Sequence, residues 1–327
     1  MIPTWRRALA TVGGIVLGAV LLVAAWAKTL DPIAFAGQIR AEGLDFLLPA
    51  GVVALIALAL EWGLGVGLLV GLRQRWIVWT SSALVAFFVF LTGRTYWRHL
   101  RGVEPDPDAS CGCFGNLVER TPTEAFWQDM ILLVPPMLLV WLAVEVGRRP
   151  PIWRLVLVGF FTIAGTLVAW RAPDLPLDDL ATRLSPGTDA MTICAGSDDP
   201  DAPGGSSRVC LDAILPEIAS GDHLVVIADI EAPAFTERIA ELNDFAWRDG
   251  APTLWAVAAA TEDQLFQLRF GHGPVFEVRE APKPLLRPLY RTLPRTFRVV
   301  DGLVTETYAG LPPLDALAGT DTSESAD

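Results

Sequence analysis

The sequence predicts a membrane-embedded all-α bundle followed by a soluble α/β domain. Three observations predict it. The 327-residue chain is 52% hydrophobic, long apolar runs fill its first half, and short β-rich runs alternate with helical patterns from His223 onward. Residues 1–171 carry 14 Lys and Arg against 11 Asp and Glu, whereas residues 172–327 carry 11 against 26. The acidic half has no basic stripe to neutralise phosphates, which excludes nucleic acid as a partner.

Five apolar runs are predicted to cross the bilayer, and together they form the bundle. They are residues 8–27, 47–72, 76–91, 130–146 and 155–170. A cleaved signal peptide is the alternative for the first run, but that run is longer than the usual signal-peptide core. Ten of the twelve Trp residues lie in this half, mostly near the ends of the runs, as interfacial anchors do.

Basic residues in short loops predict the orientation. The short basic segments contain Arg6, Arg7, Arg73, Arg75, Arg148, Arg149 and Arg154. By the positive-inside rule they mark the cytoplasmic side of a bacterial inner membrane. The N-terminus is then cytoplasmic, while Cys111, Cys113 and everything after Trp170 face the oxidising periplasm.

Cys111 and Cys113 form a C-x-C pair in the loop between the third and fourth runs. A disulfide across one residue closes a tight ring, and Gly112 is the residue best able to adopt the backbone angles that this ring needs. Strained disulfides are easily reduced, so the pair suits thiol–disulfide exchange. A structural pair, or bonds to other cysteines, is the alternative.

Glu61 is the one charged residue within the second run. A carboxylate in mid-span is costly, so we expect it to face the bundle interior. It either forms a helix–helix hydrogen bond or belongs to a proton path or a polar contact near a quinone-like ligand.

The first four runs resemble the MauE branch of the DoxX-like membrane proteins, named for methylamine utilisation. The resemblance covers about residues 8–147. It rests on Ala27-Lys28, Asp31-Pro32 with Phe35, Glu61, Cys111-Gly112-Cys113-Phe114-Gly115, and Trp127 with Asp129. The family implies a four-helix inner-membrane bundle associated with maturation of a disulfide-rich periplasmic methylamine dehydrogenase subunit. Distant relatives are linked to quinone-coupled oxidation. The predicted site is thus Cys111 and Cys113, supported by Gly112, Phe114, Gly115, Glu61, Lys28 and Asp129.

The soluble half shows a regular order of strands and helices. Strands are predicted at residues 223–228, 253–258, 275–278, 295–300 and 303–308, and helices at 233–247 and 262–270. Asp301-Gly302 between the last two strands predicts a hairpin turn.

This order resembles a thioredoxin-like domain of the MauD type that accompanies MauE. Pro294, just before the terminal hairpin, falls where that family has its cis-proline. The departure is Ala232-Pro233-Ala234-Phe235, which stands where the family has Cys-x-x-Cys. Without thiols at that site, the domain is predicted to dock a partner rather than to exchange disulfides.

Cys194 and Cys210 flank a loop rich in Gly, Ser, Pro and Asp. A structural disulfide between them is the favoured interpretation, and closing a loop of that size adds about 3 kcal/mol. A resolving pair that exchanges with Cys111 and Cys113 is the alternative, because four cysteines allow three pairings.

The predicted organisation has five parts. They are a membrane domain at 1–147, a further span at 148–171, a linker with Cys194 and Cys210 at 172–222, a thioredoxin-like domain at 223–313 and a disordered tail at 314–327. The scattered His99, His223 and His272 predict no metal site.

The predicted function is redox-linked maturation of an exported, disulfide-containing partner, or of a thioredoxin-like partner. The protein acts there as a thiol–disulfide oxidoreductase or as a quinone-linked accessory, with a membrane quinone as the candidate cofactor. The alternative is a non-enzymatic membrane scaffold in which all cysteines are structural.

Overall fold

The computed structural model describes residues 3–102, 121–147, 149–196 and 208–317. The chain divides into two compact units, Met1–Leu177 and Asp178–Asp327. Predicted residues that lie outside the described ranges are Cys111, Gly112, Cys113, Phe114, Gly115 and Arg148.

The first unit is all-helical. Its helices are α1 Thr4–Leu30, α2 Pro32–Ala41, α3 Ala50–Leu69, α4 Arg75–Leu100, α5 Pro122–Trp141 and α6 Ile152–Arg171. Four of the described helices, namely α1, α3, α4 and α6 with its extension to Asp174, are long and apolar enough to cross a membrane. Helix α5 has 20 residues but carries Glu124 and Asp129 in its first half. The crossing predicted at residues 130–146 therefore stays a prediction.

The short helix α2 was not predicted, and local capping explains it. The Asp31 side chain accepts a hydrogen bond of 2.9 Å from the backbone N–H of Ala34, and Pro32 occupies the first helical position. The chain therefore leaves α1 after Leu30 and at once begins a new helix, which packs against α3.

Close packing of α1 against its neighbours holds the bundle together. Helix α1 packs against α3 and α5, while α4 packs against α5, and α6 against α3. A Cβ atom at Gly18 would lie 2.7 Å from the carbonyl oxygen of Gly65, so only glycine permits this approach of α1 to α3. The core that results includes Leu17, Leu21, Leu64, Leu68, Leu133 and Val140.

The second unit is built on a five-stranded sheet of order β5-β4-β3-β6-β7. The strands are β3 Asp222–Ile227, β4 Thr253–Ala258, β5 Glu277–Glu280, β6 Arg295–Val300 and β7 Leu303–Ala309, and a separate hairpin pairs β1 Cys194–Ala195 with β2 Val209–Cys210. Strands β3, β4 and β5 are parallel, and β6 is antiparallel to both β3 and β7. The Leu293–Pro294 peptide bond directly before β6 is cis. The predicted thioredoxin-like fold is confirmed.

The parallel strands of the sheet are connected by helices, namely α9 Pro233–Thr236, α10 Ile239–Ala246 and α11 Glu262–His272. Short helices complete the unit: α7 Asp178–Ala181, α8 Leu211–Ile214, α12 Lys283–Leu286 and α13 Leu314–Leu317. The single helix predicted over 233–247 is thus two helices. The break falls where the N–H of Arg238 bonds the carbonyl of Phe235, three residues back, which ends the first helix in a tight turn.

The predicted strand 275–278 is observed two residues later, at Glu277–Glu280. The backbone N–H of Val275 donates to the side chain of Asn243 at 2.9 Å, so it is not available to the sheet.

Two apolar cores cover the two faces of this sheet, and they extend the unit beyond its predicted limits. The first core contains Leu184, Leu211 and Leu215, so the unit begins at Asp178, and the described residues 178–196 and 208–222 belong to it rather than to a linker. The second core contains Leu314 and Leu317, which were predicted to lie in a disordered tail. In both segments, burial of leucine side chains orders the chain.

Candidate functional site

A buried ion pair joins α1 to α3 inside the membrane unit. The Lys28 Nζ atom donates to Glu61 Oε1. The Lys28 residue is only 4% exposed and Glu61 is fully buried. Among the described residues, no donor meets the second carboxylate oxygen of Glu61. Glu61 therefore faces the bundle interior, and Lys28 compensates its charge.

Two aromatic rings complete the surroundings of Lys28. Its Nζ lies 4.9 Å from the ring centroid of Phe35 and 4.8 Å from that of Phe88. Both distances are suited to cation–π attraction, which is strongest in a desolvated site. The cap at Asp31 turns the chain so that Phe35 on α2 comes back over Lys28. The sequence motifs around Asp31 and Phe35 thus serve one site.

A pocket of about 120 Å³ opens beside Lys28. Its wall is mostly apolar and comes from α2, α3 and α4, with contributions from Phe35, Ile39, Val53, Leu84, Phe88 and Leu91. One ammonium group is available to an oxygen acceptor, and aromatic faces surround it. The site therefore suits a flat, apolar molecule that carries a hydrogen-bond acceptor.

A second polar contact fixes α1 against α3 next to the ion pair. The indole N–H of Trp62 donates to Thr29 Oγ1 at 3.2 Å, and that hydroxyl donates to the Ala25 carbonyl at 2.7 Å. The predicted supporting residue Asp129 is buried on α5 but is not among the residues that line the pocket. The structure thus brings Lys28 and Glu61 together.

The pairing of Lys28 with Glu61 was missed by sequence reasoning, although a signal was present. Lys28 is the one lysine of residues 1–171, and Glu61 is the one charge of the second apolar run. Opposite charges at the edge or within two apolar runs predict a partnership, because neither charge is stable alone in a membrane.

In the second unit, one of the two positions of the thioredoxin-like thiols, that of Phe235, belongs to the core. Residues Ala232-Pro233-Ala234-Phe235 form the start of α9. Phe235 is fully buried, and its ring centroid lies 6.5 Å from that of Phe276 in an edge-on arrangement. The cis-proline predicted at Pro294 is present. This unit keeps the fold without the thiols.

Cys194 and Cys210 are joined by a disulfide between directly paired residues of β1 and β2. Cys111 and Cys113 are the other two cysteines of the chain. Within the part of the chain that the structure describes, no group of three or more His, Cys, Asp or Glu side chains is arranged to hold a metal ion.

Comparisons with known proteins support the predicted resemblance of the membrane part to MauE. Residues 6–144 match the family described as "Methylamine utilisation protein MauE". No curated protein matches the chain. A solved structure from Chlorobium tepidum, provisionally described as a thiol:disulfide interchange protein DsbE, is similar at 15% identity and a TM-score of 0.29, over 40% of this chain and 90% of its own. The thioredoxin-like assignment rests on the strand order. The membrane part of the chain is thus similar to MauE over residues 6–144, and a thioredoxin-like domain follows it.

Proposed function

We propose that this redox-associated membrane protein supports thiol–disulfide maturation of an exported partner in the bacterial inner membrane. Cys111 and Cys113 are its exchanging pair, and a membrane quinone is its electron acceptor. The observation that carries the proposal is the apolar pocket with the Lys28 ammonium at its wall.

The chemistry of the pocket suits a quinone head group. A quinone offers carbonyl oxygens that accept a hydrogen bond from an ammonium, and its flat ring packs against aromatic faces such as Phe35 and Phe88. An apolar cavity of about 150 Å³ in another protein admits a benzene ring. The 120 Å³ beside Lys28 is therefore on the scale of a single ring.

The cysteine arrangement supports Cys111 and Cys113 as the reactive pair. Since Cys194 is bonded to Cys210, the other two cysteines of the chain are left to exchange with a partner. Their loop follows α4, and Thr95 of that helix lines the pocket five residues before the helix ends at Leu100. Five helical residues span about 8 Å, so the loop begins near the pocket.

The exchange balances as follows. A thiolate of the partner attacks the Cys111–Cys113 disulfide and forms a mixed disulfide. The partner's second thiolate then attacks the partner's own sulfur in this mixed disulfide. The partner is thereby oxidised, and Cys111 and Cys113 are left as thiols. A quinone bound beside Lys28 would accept two electrons and two protons from these thiols and become quinol, and Cys111 and Cys113 would return to the disulfide.

The thioredoxin-like domain contributes docking in this proposal. It has no thiols at the start of α9, so it holds a partner without reacting with it. The basic ends of α1, α4 and α6 support a cytoplasmic N-terminus, and in this proposal Cys111 and the thioredoxin-like domain then lie in the periplasm.

The test is thiol trapping of each cysteine in intact cells before and after a pulse of reductant. We expect Cys111 and Cys113 to cycle between thiol and disulfide while Cys194–Cys210 stays closed. In quinone-depleted membranes, Cys111 and Cys113 should stay reduced after the pulse. If all four cysteines stay locked, the proposal is wrong.

The buried Phe235 favours a second candidate, a membrane scaffold that only docks its partner. The double variant Cys111→Ser/Cys113→Ser separates the two candidates. On the scaffold hypothesis, partner maturation survives this substitution as long as the protein accumulates normally. On the redox hypothesis, maturation is lost at unchanged protein level, whereas Cys194→Ser/Cys210→Ser affects only protein stability.

A further inference from the structure

A second pocket, which is polar, lies at the opposite end of the membrane unit, where α1, α4 and α6 begin. It has a volume of about 590 Å³. The residues that define it come from the start of α1, the turn between α3 and α4, the segment after α5 and the start of α6. Its charged residues are Arg7, Arg73, Glu145, Arg149 and Arg154.

Positive charge exceeds negative charge in this basic pocket. Four guanidinium groups face one carboxylate, that of Glu145, whereas Lys28 and Glu61 balance each other one to one. Within the described part of the chain, no carboxylate forms a salt bridge with Arg73 or Arg154. The pocket is therefore suited to an anion.

The arginines are held in place by neutral groups. Arg73 Nη1 donates to the Arg7 carbonyl at 3.2 Å, and Arg73 Nη2 donates to Thr11 Oγ1 at 3.2 Å. Arg154 Nη1 donates to the Gly71 carbonyl at 3.2 Å. The Nε atoms of Arg73 and Arg154 are buried and have no acceptor among the described residues. Both groups are fixed in position and keep a donor unused.

The pKa of Arg73 indicates that negative charge in the pocket does not fully compensate the positive charge. Burial lowers the pKa of Arg73 from its usual value. Glu145 raises that pKa, while Arg154 and Arg7 lower it further. An anion among these groups would relieve the repulsion between them.

The surroundings of the pocket favour a lipid as the source of the anion. The starts of α1 and α6 contribute to the pocket, and each carries an exposed tryptophan, Trp5 or Trp153, of the kind that anchors helices at a membrane surface. Val146 and Ile152, whose side chains are more than three-quarters exposed, offer apolar surface beside the arginines. A phospholipid combines a phosphate that arginine binds bidentately with acyl chains that cover such surface.

We propose that the basic pocket binds the phosphate of an anionic phospholipid head group through Arg73, Arg149 and Arg154. The bound lipid links α1, the α3–α4 turn and α6 at the membrane surface. Phosphate is the chemistry recognised, and a free phosphate ion is the other possible source of it.

The test uses the full-length protein in detergent and measures the midpoint of thermal unfolding. Phosphatidylglycerol, phosphatidylcholine and inorganic phosphate are added separately at matched concentrations. We expect phosphatidylglycerol to raise the midpoint by a few degrees and the other two to leave it nearly unchanged. An equal shift with inorganic phosphate, or with phosphatidylcholine, would overturn the proposal.

Variants locate the site. The double variant Arg73→Gln/Arg154→Gln removes two charge-assisted contacts, so the affinity for phosphatidylglycerol should fall at least about tenfold. Arg98→Gln, near the opposite end of α4, is the matched control and should keep the full affinity. If the double variant does not fold, the milder Arg149→Gln decides the question, because it changes an exposed residue of the pocket. An affinity equal to that of Arg98→Gln would contradict the proposed site.

Discussion

In the membrane unit a charged pair is kept inside an apolar bundle, whereas in the thioredoxin-like unit one position of a reactive pair is filled by a core residue, Phe235. Lys28 and Glu61 are buried beside a pocket. Phe235 is buried equally well, and its ring packs edge-on against Phe276. Burial thus keeps a charged pair beside a pocket in the membrane unit, whereas it completes an apolar core in the thioredoxin-like unit.

Energetics explain what this difference means. Burying an ion pair stabilises a fold poorly, because desolvation cancels most of the Coulomb attraction. Burying a phenylalanine stabilises a fold by about 2–3 kcal/mol. The retained charges of the membrane unit therefore point to function, and the lost thiols of the second unit point to stability and docking.

The largest effect is expected from breaking the buried pair. Lys28→Met leaves the Glu61 carboxylate buried without its partner, which costs about 3–5 kcal/mol. The double variant Lys28→Met/Glu61→Leu should recover most of this stability, because no charge is then left. Unfolding in detergent measures both, with Lys283→Met, the other lysine of the chain, as the control.

The same double variant distinguishes a functional ion pair from a structural one. If the pair serves the quinone, the double variant folds but Cys111 and Cys113 are no longer reoxidised. A double variant as unstable as the two single variants combined, or one that cycles normally, would instead make the pair structural.

A smaller loss is expected from restoring thiols to the second unit. In Ala232→Cys/Phe235→Cys, the second substitution removes a fully buried ring, so we expect a loss of about 3 kcal/mol. Ala232→Cys alone is the control and should fold normally. Chemical denaturation of the full chain gives the difference. Full stability together with new exchange activity would show that this site has only lost its cysteines and has not been rebuilt.

The smallest effect concerns alkaline pH and the second unit alone. Burial, and then the hydrogen bond to Glu306, raise the pKa of Tyr308 to about 12. The unfolded value is about 10, so the neutral phenol stabilises the folded unit below that pH. This contribution is lost as the pH rises from about 10 to about 12.

Phenolate absorbance during an alkaline titration measures this step. Tyr308→Phe should remove the late step and flatten the pH dependence of unfolding over that range. Tyr96→Phe, in α4 of the membrane unit, should leave it unchanged. A late step that persists in Tyr308→Phe would refute the assignment.

Local signals explain which parts of the fold were predictable. Strands β4 and β6 were predicted to the residue, and the Asp301-Gly302 turn has the positive φ angles, 49° and 82°, that such a hairpin needs. The burial of leucines within residues 178–196 and 208–222 was not predicted. Leucines separated by polar residues, such as Leu184 and Leu211, show no clear local pattern, and they are buried because they pack against the sheet.

The candidate sites, like the fold, were predictable only in part. Glu61 stood out in the sequence, but its pairing with Lys28 depends on the close approach of α1 and α3 at Gly18. The arginines at the helix ends predicted an orientation. That several of them share one pocket is a property of the packed bundle, which no local pattern contains.

The connection between the units has a consequence for weak binding. Helix α6 ends at Arg171 and the second unit begins at Asp178, so only a few residues join them. A partner held by the second unit is thereby tethered to the membrane bundle, at an effective concentration on the order of millimolar. Even a transient docking contact would then bring a substrate to the bundle often enough for turnover, and weak docking would let the finished product leave.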